Sequence, residues 1–423
     1  MDLTQRTFRA VSDRVEDNPE FVAWWESVML GFLAPSPQEI GVEWALRESF
    51  ADGWLQRGLY DESLPAEAVG GDHPVGTFMA FDKTINVGGA TIPIHLITDV
   101  TVRPTHRRRG MLRRMMVDDL TEAHAAGHAL AALTVTEATI YGRFGFGPAT
   151  FVQSVRVDSS MRFALRTPTV GRVELTTQAT MGRVAPEVFA RHLAVTPGAV
   201  GRGSLYAEQA AGIFDPRESA RDRRVRNALH FDDHGQPDGF VCYDVRKQDG
   251  EHILTIRDLV AVGTDAYLAL WDYLGNIDRV SRIDWASAPT EDPLLWALVD
   301  QRGYAVTGIS DHLWVRILDP VVALSARTYA CPDTEFVLAV TDDLGLANGT
   351  YRIEVRGGRA EVTRSADRPH AVVGVEELGS LFLGGVPARQ FHVAGRLRAD
   401  DIAAARLGQL FGGVRRPYCN THF

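Results

Sequence analysis

Between residues 20 and 60 apolar side chains recur at spacings of three and four: Phe21, Trp24, Trp25, Val28 and Met29, then Trp44, Leu46 and Phe50. That period puts them on one face and predicts two helices. From Gly76 the pattern shifts to FMAFDKTINVGGATIPIHLITDVTV, two extended runs joined by a Gly88-Gly89 hairpin signal. Helical spacing returns from Gly110 to Ala126, with Met111, Leu112, Met115, Met116 and Leu120 on one face and Gly127 as the stop. HALAALTVTEATIYGRFGFGPATFVQSVRVD then predicts an apolar strand, a short segment, a glycine-punctuated turn and a second strand. The layout is α/β with mixed strand pairing.

The same order of elements recurs about 160 residues downstream. HILTIRDLVAVGTDAYLALWDYL parallels IHLITDVTVRPTHRRRGMLRRMM, and DQRGYAVTGISDHLWVRILD parallels YGRFGFGPATFVQSVRVD. Such self-similarity is read as a domain duplication, although two α/β domains can share strings of this kind by chance. The copy lacks the Arg107-Arg108-Arg109-Gly110 run and any counterpart of Tyr141. It is expected to be catalytically silent. From about Leu318 a short helix, alternating strands and two more helices describe an α+β unit. Asp400 is a good N-cap and Gly412-Gly413 a good stop, leaving VRRPYCNTHF as an extended tail. The expected domains are 1–158, 159–318 and 319–423.

Composition adds bounds. A chain of 423 residues exceeds what one core organises, and 45% hydrophobic with 23% charged residues is an ordinary globular balance. The net charge of -10 argues against a general nucleic-acid binder and favours cationic partners. Cys242, Cys331 and Cys419 are too few and too dispersed for a disulfide framework or a CxxC knuckle. No stretch reaches the ~18 apolar residues of a membrane span, and MDLTQRTFRA lacks a signal-peptide core. A cytoplasmic location without membrane association is expected. No pair of the 13 histidines shows HxxxH spacing with a recognisable third ligand, so no metal is expected.

DVTVRPTHRRRGMLRR carries the chemistry. A strand, a Gly-bearing loop and a helix start are what a pyrophosphate requires, because a helix N-terminus exposes unpaired N–H groups and partial positive charge. Gly110 permits close approach, and guanidinium groups hold phosphate bidentately. Pro104 is expected to end ladder pairing and let the strand splay. An isolated RRRG is usually just a solvated basic helix start; the preceding VTV strand favours the cofactor reading.

Here the chain resembles the GNAT superfamily, whose (Q/R)xxGx(G/A) signature is met by Arg107 and Gly110, with Leu112 departing from the small last residue. VTVRPTHRRRGMLR followed by TEATIYGRFGFGPAT further resembles the enhanced intracellular survival (Eis) family across essentially the whole chain. The resemblance implies an active GNAT domain, a degenerate GNAT domain, a sterol-carrier-like C-terminal domain, acetyl-CoA as cosubstrate, and a homo-oligomer, a hexamer by family pattern. It further implies Tyr141 as the acid that protonates the departing thiolate and the terminal carboxylate of Phe423 as general base. Val100, Thr101 and Val102 would offer strand backbone to the pantetheine. Arg107, Arg108, Arg109, Gly110, Met111, Leu112 and Arg113 would surround the pyrophosphate, and Thr136 with Glu137 the thioester end.

The acceptor is less legible. Trp24 and Glu26 in the N-terminal helix, Asp99 and Thr134 beside the cofactor strands, and His422 before the terminus are candidates, although at least one of Trp24 and Trp25 is expected in the core. The leading expectation is N-acetylation of a cationic small molecule such as an aminoglycoside, polyamine or basic peptide. A protein lysine acetyltransferase and a non-catalytic carrier of lipid or acyl ligands are the alternatives.

Overall fold

A computed structural model describes residues 3–160, 163–216 and 218–423, and among these residues it contains three sheets. The two predicted N-terminal helices are Pro19–Gly31 and Glu39–Asp52. Pro19 occupies the first helical turn, where a missing N–H costs nothing. The second helix stops at Gly53, whose φ of +63° is the left-handed C-cap that glycine adopts without strain. Helical expectation overran beyond that point, because Leu55–Asp61 is a strand, paired on both edges by Leu3–Phe8 and Gly76–Asn86. Its conformation is imposed by those neighbours rather than by a period of its own.

The first sheet continues through the hairpin Gly76–Asn86 and Thr91–Val102 to Leu130–Thr134, with helix Met111–Ala125 packed on one face through Met111, Met115, Met116 and Leu120. The second sheet repeats this order with Pro237–Gln248, Glu251–Ala261, helix Thr264–Gly275 and Val280–Pro289.

Sheet membership does not follow a cut at residue 158. Phe151–Asp158 lies in the second sheet, between Tyr304–Asp311 and Val280–Pro289, while Leu313–Ile317 lies in the first, between Leu130–Thr134 and Gly147–Pro148. The two sequence halves exchange a strand. Alternation tells which face of a strand is buried but not which sheet's edge it completes, so the exchange leaves no mark on the local pattern.

The third sheet, Thr334–Thr341 with Gly349–Arg356, Arg359–Arg364, Ala371–Gly374 and Leu397–Arg398, packs with helices Pro320–Ala326, Val375–Phe382, Ala388–Val393 and Asp401–Phe411. Asp400 caps the last helix by accepting from the Ala403 amide at 2.7 Å. This core is continuous with the far face of the first sheet, where Phe81, Val315 and Ile317 join Leu338, Leu378 and Phe382. Arg316 crosses the junction with no exposed surface, pairing with Asp342 at 2.8 Å and donating to the Phe144 carbonyl. Gly145, at φ +79°, makes room for it, since a Cβ there would overlap its guanidinium. Asp342→Ala strands a buried cation and is expected to destabilise the chain by ~3–5 kcal/mol, read as a lowered urea midpoint. An unchanged midpoint would show that the pair is not what holds the domains together.

Candidate active site

The cleft begins at a bulge. Thr77 opposes Thr101 and Met79 opposes Thr98, so two residues of the Thr91–Val102 strand face one of its partner. Asp99 takes a φ of +51° there, and Thr77 Oγ1 secures the distortion by donating to the Asp99 carbonyl at 2.8 Å. On the other side, the parallel ladder to Leu130–Thr134 runs only from His95–Ala131 to Ile97–Leu133. Beyond it the two strands diverge, and the backbone through Val102 is available to an extended ligand. Pro104 is therefore not what splays the strand: it starts a 3-10 turn, Pro104–His106, downstream of a divergence already made at Asp99.

That turn is held by His106, whose Nε2 lies 3.1 Å from Asp61, a carboxylate lowered to about 2 chiefly by its hydrogen bonds from Ser63. The loop that follows carries positive φ at Arg108 (+63°) and Gly110 (+78°), and Gly110 is the N-cap of helix Met111–Ala125 with no side chain to cap it. A Cβ at Gly110 would meet no protein atom, so glycine is required there by the backbone conformation, and the space beside it is open. First-turn amides and exposed arginines thus converge on one opening.

The opening is a cavity of about 750 Å³. Val100, Thr101, Val102, Arg107, Arg108, Arg109, Gly110, Met111, Leu112, Arg113, Thr136, Glu137 and Tyr141 all line it. Sequence reasoning missed the wall made by Gly31, Phe32 and Leu33 at the end of the first helix, and also Ile140, Arg143 and Phe144. The apolar pair Phe32-Leu33 just past a helix end was the available signal. Tyr141 closes the short helix Ala138–Tyr141 and is 8% exposed, and its phenol is pushed up by burial and then by the Glu137 charge.

The chain end is anchored. After Phe411 the backbone continues without helix or strand and makes contacts with strands of both larger sheets. Tyr418 N–H donates to the Pro197 carbonyl at 2.8 Å, Thr421 Oγ1 to Val200 at 2.8 Å, and Tyr206 Oη to the Asn420 carbonyl at 3.1 Å. Asn420 also bonds both members of the buried ion pair Arg202–Asp258, itself 2.7 Å long. Thr134 Oγ1 donates to a Phe423 carboxylate oxygen at 3.2 Å, two residues before Thr136 of the cavity wall, while the Phe423 ring meets Phe81 edge-on at 6.0 Å.

The acceptor candidates separate. Trp24 is not available to a ligand: it has no exposed surface and its indole N–H donates to the Arg57 carbonyl at 2.8 Å, because its helical face is the one turned to the core. Glu26 is engaged with His73 at 2.7 Å and does not line the cavity. His422 is exposed, its ring edge-on to His312 at 4.7 Å. Asp99 is pushed up to about 7 by burial. Glu48, which sequence reasoning passed over, is also pushed up to about 7, first by burial and then by Asp52, with Asp99 contributing. Lys83, 2.8 Å from Asp52, offsets part of this negative charge.

The second sheet makes the same divergence and uses it differently. Its ladder to Val280–Pro289 ends at Ile256–Trp285 although the strand runs to Ala261, and the bulge falls beside Asp258. The cavity there is about 290 Å³ and is lined partly by Arg415 and Tyr418 of the C-terminal segment, Tyr418 Oη donating to Ser287 at 2.5 Å. The helix that follows carries Asp265 in its first turn, which repels a phosphate.

Residues 17–149 and 198–317 match two family models, each described as an acetyltransferase (GNAT) domain, and residues 321–420 match a sterol carrier protein domain. An uncharacterized N-acetyltransferase of Streptomyces griseus is 34% identical over 420 residues, covering 96% of this chain and 97% of that one. N-acetyltransferase Eis of Mycobacterium tuberculosis is 33% identical over 349 residues, covering 79% and 82%. Among solved structures, Eis1 from Mycobacterium abscessus superposes with a TM-score of 0.81 at 27% identity over the whole of both chains. A GCN5-related N-acetyltransferase from Anabaena variabilis, at 19% identity and TM-score 0.80, shares the fold. Two GNAT domains, a sterol carrier domain and this level of identity to Eis place the chain in the Eis family of N-acetyltransferases.

Proposed function

We propose that the chain transfers the acetyl group of acetyl-CoA to an amine of a cationic small molecule, at a single cleft in the first GNAT domain. The observation that carries this reading is the Phe423 carboxylate held by Thr134 beside the cavity that Tyr141 and the Arg107–Arg113 loop line. Val100–Val102 would hold the pantetheine through strand backbone and the loop would hold the pyrophosphate. The cosubstrate supplies an activated acyl group on sulfur.

This chain's own groups then move the protons. An α-carboxylate with a pKa near ~3.5 is ionised at neutral pH and takes the proton of the acceptor ammonium. The carboxylate passes that first proton to solvent; as the new C–N bond forms and the C–S bond breaks, Tyr141 Oη gives its proton to the leaving sulfur, and the second proton lost by the nitrogen restores the phenol through solvent. Burial keeps that phenol protonated beforehand. Burial disfavours the ionised forms of Asp99 and Glu48, and an acceptor ammonium placed beside them would restore those forms, which suits a cationic acceptor. The second GNAT domain is read as silent, its smaller cleft taken up in part by the C-terminal segment.

Thiol release from acetyl-CoA, followed with a panel of aminoglycosides, polyamines and lysine-bearing peptides, tests the reading. Acceleration by small polyamines is expected. Acceleration by none of the panel would sink amine acetylation, and acceleration by peptides alone would make the chain a protein acetyltransferase.

A further inference from the structure

Within the first sheet, further along the ladder from the bulge toward the Asn86–Thr91 end, three neighbouring chain segments bring two imidazoles and a carboxylate together. Asp82 and His95 oppose each other across the antiparallel ladder. His128 leads into the adjoining strand Leu130–Thr134 through the turn made by Gly127. One Asp82 oxygen is 2.9 Å from His95 Nδ1, and the other is 3.5 Å from His128 Nε2. All three ligand atoms lie within 4.8 Å of one another.

The second nitrogen of His95 decides how this cluster is read. His95 Nε2 is 3.0 Å from Asp119 Oδ2, and Asp119, 1% exposed on helix Met111–Ala125, also accepts from Arg57 at 3.2 Å. A buried carboxylate only accepts, so His95 Nε2 carries a hydrogen; against the burial that lowers it, the Asp119 and Asp82 carboxylates raise the imidazole to about 9, so Nδ1 carries a second hydrogen toward Asp82 unless a cation displaces it. A carboxylate behind a histidine whose other nitrogen faces outward is the support that metal-ligating histidines receive. Without a cation, the lone pair of Nδ1 and the Asp82 oxygen repel unless an extra proton sits between them; a divalent ion supplies the same positive charge to all three groups at once.

We propose that Asp82, His95 and His128 form a Zn²⁺ site, with Asp119 as its outer-shell support and one position left for water. Ideal tetrahedral bonds of ~2.0 Å place ligand atoms about 3.3 Å apart, within the spread found here, and the half-exposed Asp82 is free to adjust. Asp119 lies eight residues along the helix from Met111, or ~12 Å, so the ion sits apart from the phosphate loop and clamps helix and strands together.

The test uses the full-length, untagged protein stripped with chelator and titrated calorimetrically with Zn²⁺, with Co²⁺ absorption as a second readout. One ion per chain at micromolar or tighter Kd, a raised Tm and tetrahedral Co²⁺ bands are expected. Asp82→Asn and His128→Ala should each weaken binding at least ~10-fold while leaving acetyl-CoA binding intact, which certifies their fold. Absence of Zn²⁺ uptake by the wild type, or uptake of equal affinity in both variants, overturns the proposal and leaves the cluster as an ion-pair network.

Discussion

A chain that ends at His422, lacking only Phe423, is expected to transfer acetyl at least ~10²-fold more slowly than the full chain while binding acetyl-CoA with unchanged affinity. Extension beyond Phe423 should do the same. In both cases an ionised carboxylate is displaced from Thr134, either pulled back by one residue or converted to an amide. Nothing in the Arg107–Arg113 loop is disturbed. The rest of the tail stays pinned by Asn420 and Thr421, whose partners are Arg202, Asp258, Val200 and His312, so the truncated protein should keep its fold. Steady-state turnover beside acetyl-CoA titration separates the two effects. A C-terminally tagged protein with full activity would show that the terminal carboxylate is not the base.

Tyr141→Phe removes one oxygen from a side chain that is already packed in the first core, so the loss is chemical rather than structural. The kcat is expected to fall by ~10²–10⁴-fold with KM for acetyl-CoA changed no more than about two-fold, the signature of an interaction made only as the thiolate departs. The sign of the pH behaviour follows from burial and Glu137, which both raise the phenol's pKa. The acid form therefore persists through neutral and mildly alkaline pH, and the wild-type rate should show no alkaline fall below ~10 from this group. A variant with wild-type kcat would leave the leaving group to be protonated by solvent.

Much of the lining of the large cavity was legible because the features that build it are local. Unpaired amides at a helix start, a residue tolerant of positive φ and flanking guanidinium groups must all fall within a few consecutive positions, and Arg107–Arg113 puts them there. The same holds for the Gly88-Gly89 hairpin and the Asp400 cap. Trp24 failed as an acceptor residue because a tryptophan on an amphipathic helix faces whatever the helix packs against, and its own spacing cannot distinguish core from pocket. The splay was traced to Pro104 because a proline is visible in a sequence, whereas a bulge is a relation between two strands and appears only once Thr77 and Thr101 are paired.

The chain's periodicities, glycines and motif spacings established tandem α/β layouts, an α+β third unit and a glycine-bearing, arginine-rich loop at a helix start, all of which depend on neighbours within about twenty residues. Tertiary structure alone decided the exchange of Phe151–Asp158 and Leu313–Ile317 between sheets, the smaller second cleft partly lined by Tyr418, and the meeting of Thr134 with Phe423. It also brought Asp82, His95 and His128 onto adjacent segments. Each of these joins groups far apart along the chain, and their proximity is set by which apolar faces pack and which ladders close. No local pattern carries that information.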